Sequence, residues 1–315
     1  MHSSKQYFIG VIWLKFSESQ FSSWCNPAST TEDEKINNSI SMIKDAIKRD
    51  EECRNLEIEI FVQGSYANNT NVKQSSDVDV CIMNKETFFT QYPEGLKDSD
   101  YGFTSGGMSY DNYKKMVVKA LKNKFGENNV VIGNKSVKIK SNTYHVEADA
   151  VIAYQLKNYA LINSRTPSRY VEGIKFYASD GTCVINYPKD HIKNGKNKTI
   201  STNHYYKKLV RLLKRVRNQM VEEGVINGDK ITSFLIECLV WNIPNNIIMG
   251  NYTWIDKIRK SIIYLYNEIK ENRHNEWGEV SERLYLFKGR KWTDTDVFEF
   301  LQKIWDYMGY ADENN

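Results

Sequence analysis

Three aspartates and a glycine-serine pair carry the densest chemical signal in this sequence. Asp77 and Asp79 are two residues apart in the run Asp77-Val78-Asp79, and in an extended strand such residues point to the same face. Two carboxylates so placed can share a pair of Mg²⁺ ions, and a third from another strand, Asp149, can complete the set. Gln63-Gly64-Ser65 precedes them; the glycine lets backbone approach a phosphate, and Ser65 offers a hydroxyl and an N–H to it. One ion would lower the pKa of an attacking hydroxyl and the other would hold a triphosphate and its leaving pyrophosphate, which is what metal-dependent nucleotidyl transfer requires. Asp-x-Asp by itself reads equally well as a solvated turn before a strand. The signal is the joint one, with each group at a strand end or on a strand.

The elements that must hold these groups follow from periodicity. Leu56, Ile58, Ile60 and Val62 alternate with Glu57, Glu59 and Phe61, which predicts a strand ending at Gly64. Val78, Val80 and Ile82 alternate with Asp79 and Cys81, a second strand with its carboxylates opposite its valines. Strand-like runs recur at Val130 to Ile132, Val137 to Ile139 and Tyr144 to Tyr154; in the last, Glu147, Asp149 and Val151 share a face. Thr31 and Glu34 form a capping box ahead of Ile36, Ile40, Ile43 and Ile47, predicting a helix over about residues 32–50. A loop rich in Gly, Ser and Tyr near 91–109 leads to an amphipathic helix bearing Tyr113, Met116, Val117, Ala120 and Leu121. From about residue 200 the pattern is helical, at roughly 203–223, 231–242, 254–271 and 294–308.

Composition narrows the class. With 315 residues, 41% apolar and 26% charged, the chain has ample core for one large bilobal unit or two intimate domains, and disordered and fibrous classes are out. No run reaches the roughly 18 to 20 apolar residues of a membrane span. Tyr7 to Leu14 is apolar, but Lys15, Glu18 and the missing small-x-small cleavage pattern make it the start of the fold rather than an export signal. Five scattered cysteines without a C-x-x-C pair suggest a reducing cytoplasm and no zinc site. His145, His191 and His204 are not spaced as a metal set, and Trp241, Trp254, Trp292 and Trp305 fall among core positions. A net charge of +4 is too small to demonstrate a nucleic-acid partner. The helix with Lys207, Lys208, Arg211, Lys214, Arg215 and Arg217 reads, by charge alone, as a solvated face; beside a carboxylate and metal cluster it becomes a candidate triphosphate clamp.

QGSYANNTNVKQSSDVDVCI (Gln63 to Ile82) together with VEADAVIAY (Val146 to Tyr154) resembles the polymerase-β-like nucleotidyltransferases, and more narrowly the bacterial cGAS/DncV-like nucleotidyltransferases of anti-phage signalling. The resemblance takes in Trp24, Pro27, Ser29, Thr31 and Glu32, GIKFY (Gly173 to Tyr177), HIKNGKNKTIST (His191 to Thr202) and HYYKKLVRLLKRVRN (His204 to Asn218), so that it spans most of residues 24–242. It is strongest to the branch whose cyclic dinucleotides can contain uridine. What the resemblance implies is a metal triad of Asp77, Asp79 and Asp149, with Glu147 as an alternative third ligand, and a phosphate-binding turn at Gly64 and Ser65. It further implies that Lys214 and Ser233 reach the donor triphosphate and that Phe234 stacks on a base where relatives often carry tyrosine; Arg211 and Lys207 are weaker candidates from the charge of the basic helix alone. Thr199 departs from the Lys-Asn pair expected after Lys198.

The expected fold is an α/β lobe over residues 1–200, with a mixed, mostly antiparallel nucleotidyltransferase sheet, followed by an all-α lobe over 201–315 that covers the nucleotides. The expected activity is joining two NTPs, with two Mg²⁺ ions for which Mn²⁺ can substitute, into a cyclic di- or oligonucleotide messenger. Gln63, Gly64, Ser65, Lys214, Ser233 and Phe234 would bind nucleotide. The partners implied are NTPs and a downstream effector activated by the product; RNA or DNA as an activator stays open, no membrane partner is expected, and the chain is taken as a monomer. Rival readings are a template-independent RNA-tailing enzyme and a non-catalytic nucleic-acid sensor.

Overall fold

The computed structural model describes residues 14–27, 33–72, 77–250 and 252–311. Ser29, Thr31 and Glu32, most of the apolar run that starts at Tyr7, and residues 73–76 between the glycine-serine turn and the aspartates lie outside the described residues. The chain divides into two compact units. One comprises residues 27–197 and 279–284; the other takes the segment ending at Asn26, Lys198–Gly278 and the residues from Tyr285 onward. The crossing at 197/198 falls inside one helix; residues 14–26 group with the helices and 279–284 return to the sheet unit.

The first unit is built on a seven-stranded sheet of order β1-β2-β5-β4-β3, with β6 on β5 and β7 on β6. The strands are β1 (Ile58–Gln63), β2 (Val78–Gln91), β3 (Val130–Ile132), β4 (Val137–Ile139), β5 (Ala148–Asn158), β6 (Val171–Tyr177) and β7 (Cys183–Asn186). Among these strands only β2 and β5 pair in parallel. A parallel pair needs a long crossover, and α4 (Tyr110–Phe125) with the β3–β4 hairpin supplies it. Because β2 occupies one edge of β5 along its whole length, β4 and β6 share the other edge: β4 borders Ala148–Ala150 and β6 borders Tyr154–Asn158. That division brings β4 beside Asp149.

Helices α2 (Asp33–Arg49) and α4 cover one face of the sheet. Ile36, Ile43 and Ile47 from α2 and Tyr113, Val117 and Leu121 from α4 are buried against Val78, Val80, Ile82, Ala148, Ala150 and Ile152. Tyr113 donates to the Ile82 carbonyl at 3.2 Å and Tyr110 to that of Ile152 at 3.0 Å, so their hydroxyls stay paired inside the core. With the aliphatic face committed to helices, the pleat turns Asp77, Asp79 and Asp149 to the other face. Farther along that face Cys81 and Met83 are buried. There α5 (Pro188–Ser201) lies close, and Lys189 bridges Glu59 at 2.7 Å and Glu172 at 2.6 Å.

The second unit holds α1 (Glu18–Trp24), α6 (Tyr205–Glu222), α7 (Ser233–Trp241), α8 (Asn245–Met249), α9 (Trp254–Lys270) and α10 (Asp294–Met308). Residues 14–26 belong here because Glu18 accepts from the N–H groups of Trp254 and Ile255 at 2.7 and 3.0 Å, and Arg211 donates to the Cys25 carbonyl at 2.8 Å. Segment 279–284 returns to the sheet unit because Asn194 donates to the carbonyls of Val280 and Ser281, and Arg283 pairs with Asp190 at 2.7 Å. Among the described residues no helix is long and apolar enough to cross a membrane.

Candidate active site

The acids stand in one cross-strand row. Gln63 is the register partner of Asp79, Asp79 of Asp149, and Asp149 of Lys138, so four strands deliver one side chain each at the same height and to the same face. Asp77 is one pleat earlier on that face. Glu147 is one pleat before Asp149, and its carbonyl accepts from the Val78 N–H at 3.1 Å, which fixes the two chains where the acids emerge. Ser136 donates to Asp149 Oδ1 at 3.0 Å.

The turn between β1 and the aspartates is shaped around Asp79. Gly64, at φ +71°, opens the single turn α3 (Gly64–Ala67), and a Cβ there would fall 2.0 Å from Asp79 Oδ2. Only glycine accommodates both the backbone and the carboxylate. The Ser65 carbonyl is tied by the Thr70 N–H at 2.8 Å. Asn68, fully buried, closes this turn against α5: its amide lies 3.2 Å from His191 Nε2, and a Cβ on Gly195 would come within 2.4 Å of its Oδ1. Asn68, at the end of this turn, is thus backed by a helix rather than by solvent.

Burial and the neighbouring Glu147 carboxylate, opposed by Lys138, hold the Asp77 carboxyl above its ordinary range. The Lys138 ammonium is held above its own ordinary value, chiefly by its hydrogen bond to Glu147. Crowded anions of this kind ask for a cation. Among the described residues no three His, Cys, Asp or Glu side chains already converge as a closed ligand set. An open row of carboxylate oxygens is nonetheless what Mg²⁺ uses, since it takes one or two carboxylates, keeps waters and draws its remaining ligands from substrate phosphates. Hard oxygen donors, a glycine that spares Asp79 room and an ammonium already among the acids fit such an ion.

Residues 40–124 match the nucleotidyltransferase domain family, and residues 193–309 match the cGAS/DncV-like nucleotidyltransferase C-terminal helical domain. The chain is 42% identical over 298 residues to the cyclic dipyrimidine nucleotide synthase CdnE of Cecembia lonarensis, covering 94% of this chain and 99% of that protein. The chain belongs to the cGAS/DncV-like nucleotidyltransferases. Among solved structures, the Elizabethkingia meningoseptica CdnE cyclic dinucleotide synthase with GTP and Apcpp is similar at a TM-score of 0.78 and 34% identity, over 94% of this chain and 100% of that one. The Rhodothermus marinus CdnE c-UMP-AMP synthase with Apcpp and Upnpp reaches 0.82 at 27% identity, over 95% and 98%.

The other expected nucleotide contacts of this cGAS/DncV-like nucleotidyltransferase belong to the helical unit. Lys214, on α6, is 2% exposed with Nζ 2.6 Å from Glu237 Oε2 on α7, and both side chains are buried. Ser233 is the first residue of α7, which Thr232 caps by accepting from the Leu235 N–H. Phe234 stacks on Trp292, centroids 5.5 Å apart at 23°, so in this structure its ring faces an indole where a base was expected. Arg211, weighed as a phosphate ligand, is buried against the Cys25 carbonyl, and Arg217 donates to the carbonyls of Gly228 and Ile231. These arginines fasten loops. Lys198 lies on α5, not in a loop, and donates to the carbonyls of Trp241 and Ile243 at 2.6 and 2.9 Å.

Sequence reasoning passed over Ser136 and Lys138, although the signal was present. Val137 and Ile139 are both 1% exposed, so alternation alone puts Lys138 on the opposite face, the one that carries Asp149.

Proposed function

We propose that this enzyme joins two nucleoside triphosphates into a cyclic dinucleotide with at least one pyrimidine, a messenger for an effector in anti-phage defence. The observation that carries the chemistry is the in-register row of Asp79 and Asp149 with Asp77 on the same face. The pyrimidine rests on the 42% identity to a cyclic dipyrimidine synthase and on the likeness to a c-UMP-AMP synthase.

Asp77, Asp79 and Asp149 would hold Mg²⁺, with Mn²⁺ able to replace it; bound there, the metal supplies charge for the triphosphate and a lowered pKa for the attacking hydroxyl. Asp149, oriented by Ser136, accepts the proton of the ribose hydroxyl. The hydroxyl oxygen bonds to the α-phosphorus of the donor, and the bond from that phosphorus to the pyrophosphate oxygen breaks. Gly64 and Ser65 give the phosphates a turn free of side-chain bulk at its first residue. A second transfer in the reverse sense closes the ring. Ser233 and Lys214 remain the assigned triphosphate contacts of the helical unit, and Phe234 the base-stacking residue.

The test is to incubate the purified protein with Mg²⁺ or Mn²⁺ and all four NTPs, treat with phosphatase and analyse by mass spectrometry, beside an Asp77→Ala, Asp79→Ala variant. A phosphatase-resistant cyclic product containing C or U, absent from the variant, is expected. Extension of added RNA without any cyclic product would instead establish a tailing enzyme.

A further inference from the structure

Lys138 has no part in the reaction described above, yet it sits among the acids. It is the direct cross-strand partner of Asp149. Its ammonium donates to Glu147 Oε1 at 3.2 Å and lies 3.7 Å from Asp77 Oδ2 and 4.0 Å from Asp149 Oδ1. One cation therefore faces three carboxylates, two of them assigned to the metal. The side chain is 46% exposed, so its flexible four-carbon stem can swing without moving the strand. Glu147, the nearest of the three, is outside the metal triad and offers a resting partner that need not be given up.

We propose that Lys138 is a built-in competitor for the divalent cation: it neutralises the acid row in the metal-free protein and yields Asp77 and Asp149, while keeping Glu147, when the ion binds. The inference rests on the assignment of the metal to Asp77, Asp79 and Asp149. Lys138 is a positioning residue, since it acts on the acids and not on the reacting atoms. Its consequence is selective filling: a divalent ion arriving alone must displace an ammonium, whereas an ion arriving with a triphosphate brings oxygen ligands of its own and gives the ammonium anionic oxygens to turn to.

The experiment is Mn²⁺ binding to the full chain without nucleotide, followed by the electron paramagnetic resonance of the free ion. Wild type is compared with Lys138→Met, Lys138→Gln, Lys138→Arg and Asp77→Asn, each checked for folding by circular dichroism. Both neutral variants should bind Mn²⁺ about five-fold more tightly, the effect of removing one partly exposed ion-pair competitor, and Lys138→Arg should stay within about two-fold of wild type. Neutral variants that bind no more tightly than wild type overturn the role of Lys138 and leave the metal site standing, as does an arginine variant that matches them. Wild-type binding that Asp77→Asn does not weaken overturns the metal assignment and this inference with it.

Discussion

Replacing Gly64 by alanine separates backbone strain from damage to the acid row. The backbone at Gly64 has φ +71°, and holding an L-residue in the left-handed region costs about 1–2 kcal/mol. Gly102 has nearly the same value, φ +72°, with nothing within 4 Å of an added Cβ. At Gly64 the new methyl would sit 2.0 Å from Asp79 Oδ2 and 2.8 Å from Cγ, whereas ordinary contact begins near 3.4 Å. The carboxylate or the turn must therefore give way by more than an ångström. Misplacement on that scale at a reacting centre costs on the order of 100-fold in rate. In urea denaturation Gly102→Ala should lose about 1–2 kcal/mol and Gly64→Ala at least as much, since the clash adds to the same backbone strain. Only Gly64→Ala should lose on the order of 100-fold or more in turnover, followed as labelled NTP converted to phosphatase-resistant product. A Gly64→Ala protein that turns over as Gly102→Ala does would refute the argument that this turn is built around Asp79.

Asp77→Asn should abolish product formation while raising the melting temperature of the metal-free protein at neutral pH, since it removes a carboxylate whose charged form is disfavoured by burial and by Glu147. The sign follows from linkage: a carboxyl raised in the folded state adds stability in acid, and that contribution is lost as pH rises through the raised value. The advantage of the asparagine variant should therefore vanish below the ordinary value of 3.8, and a variant no more stable than wild type at pH 7 would contradict it. Lys214→Ala removes the buried ammonium 2.6 Å from Glu237 and should cost about 3–5 kcal/mol by chemical denaturation, whereas Lys214→Met with Glu237→Leu should recover most of it. Nucleotide affinity measured in that double variant, rather than in the single one, decides whether Lys214 meets the triphosphate. Gly195→Ala should force Asn68 aside from 2.4 Å and reduce kcat with little change in the overall far-ultraviolet spectrum, and wild-type kcat would show that α5 does not support the turn.

The site elements were legible because small or branched apolar residues alternate with the polar ones where the acids sit. Asp79 and Asp149 were assigned to strands by valines and alanines that alternate with them, and β3 and β4 fall on Val130–Ile132 and Val137–Ile139 as the periodicity indicated. The boundaries of β5 were not: the run begins at Ala148 rather than Tyr144 and continues to Asn158, because its last residues are held by β6 and not by an apolar period. The periodicity did not resolve β6, β7 and α5. Glu172, Lys175 and Asn186 interrupt the apolar signal of the strands, and α5 is polar along most of its length, with Gly195 its one fully buried residue. Such a helix is specified by contacts distant in sequence, Asn68 with Gly195 and Asn194 with residues 280–281, which no local pattern announces.

Charge was harder to read than hydrophobicity for a related reason. A lysine or arginine on a helix looks the same in sequence whether it meets a phosphate, a carboxylate or a carbonyl. In the helical unit Lys198, Arg211, Arg217 and Lys257 all donate to main-chain carbonyls, and Lys214 meets Glu237. Backbone acceptors carry no sequence signature, so a helix that read as a clamp for triphosphate uses several of its cations to secure loops. Lys138 is the converse: it is one of three lysines within six residues, beside Lys135 and Lys140, and it is the one that faces three carboxylates because strand register puts it there. Register, more than local charge density, decides which cations of this enzyme lie near its chemistry.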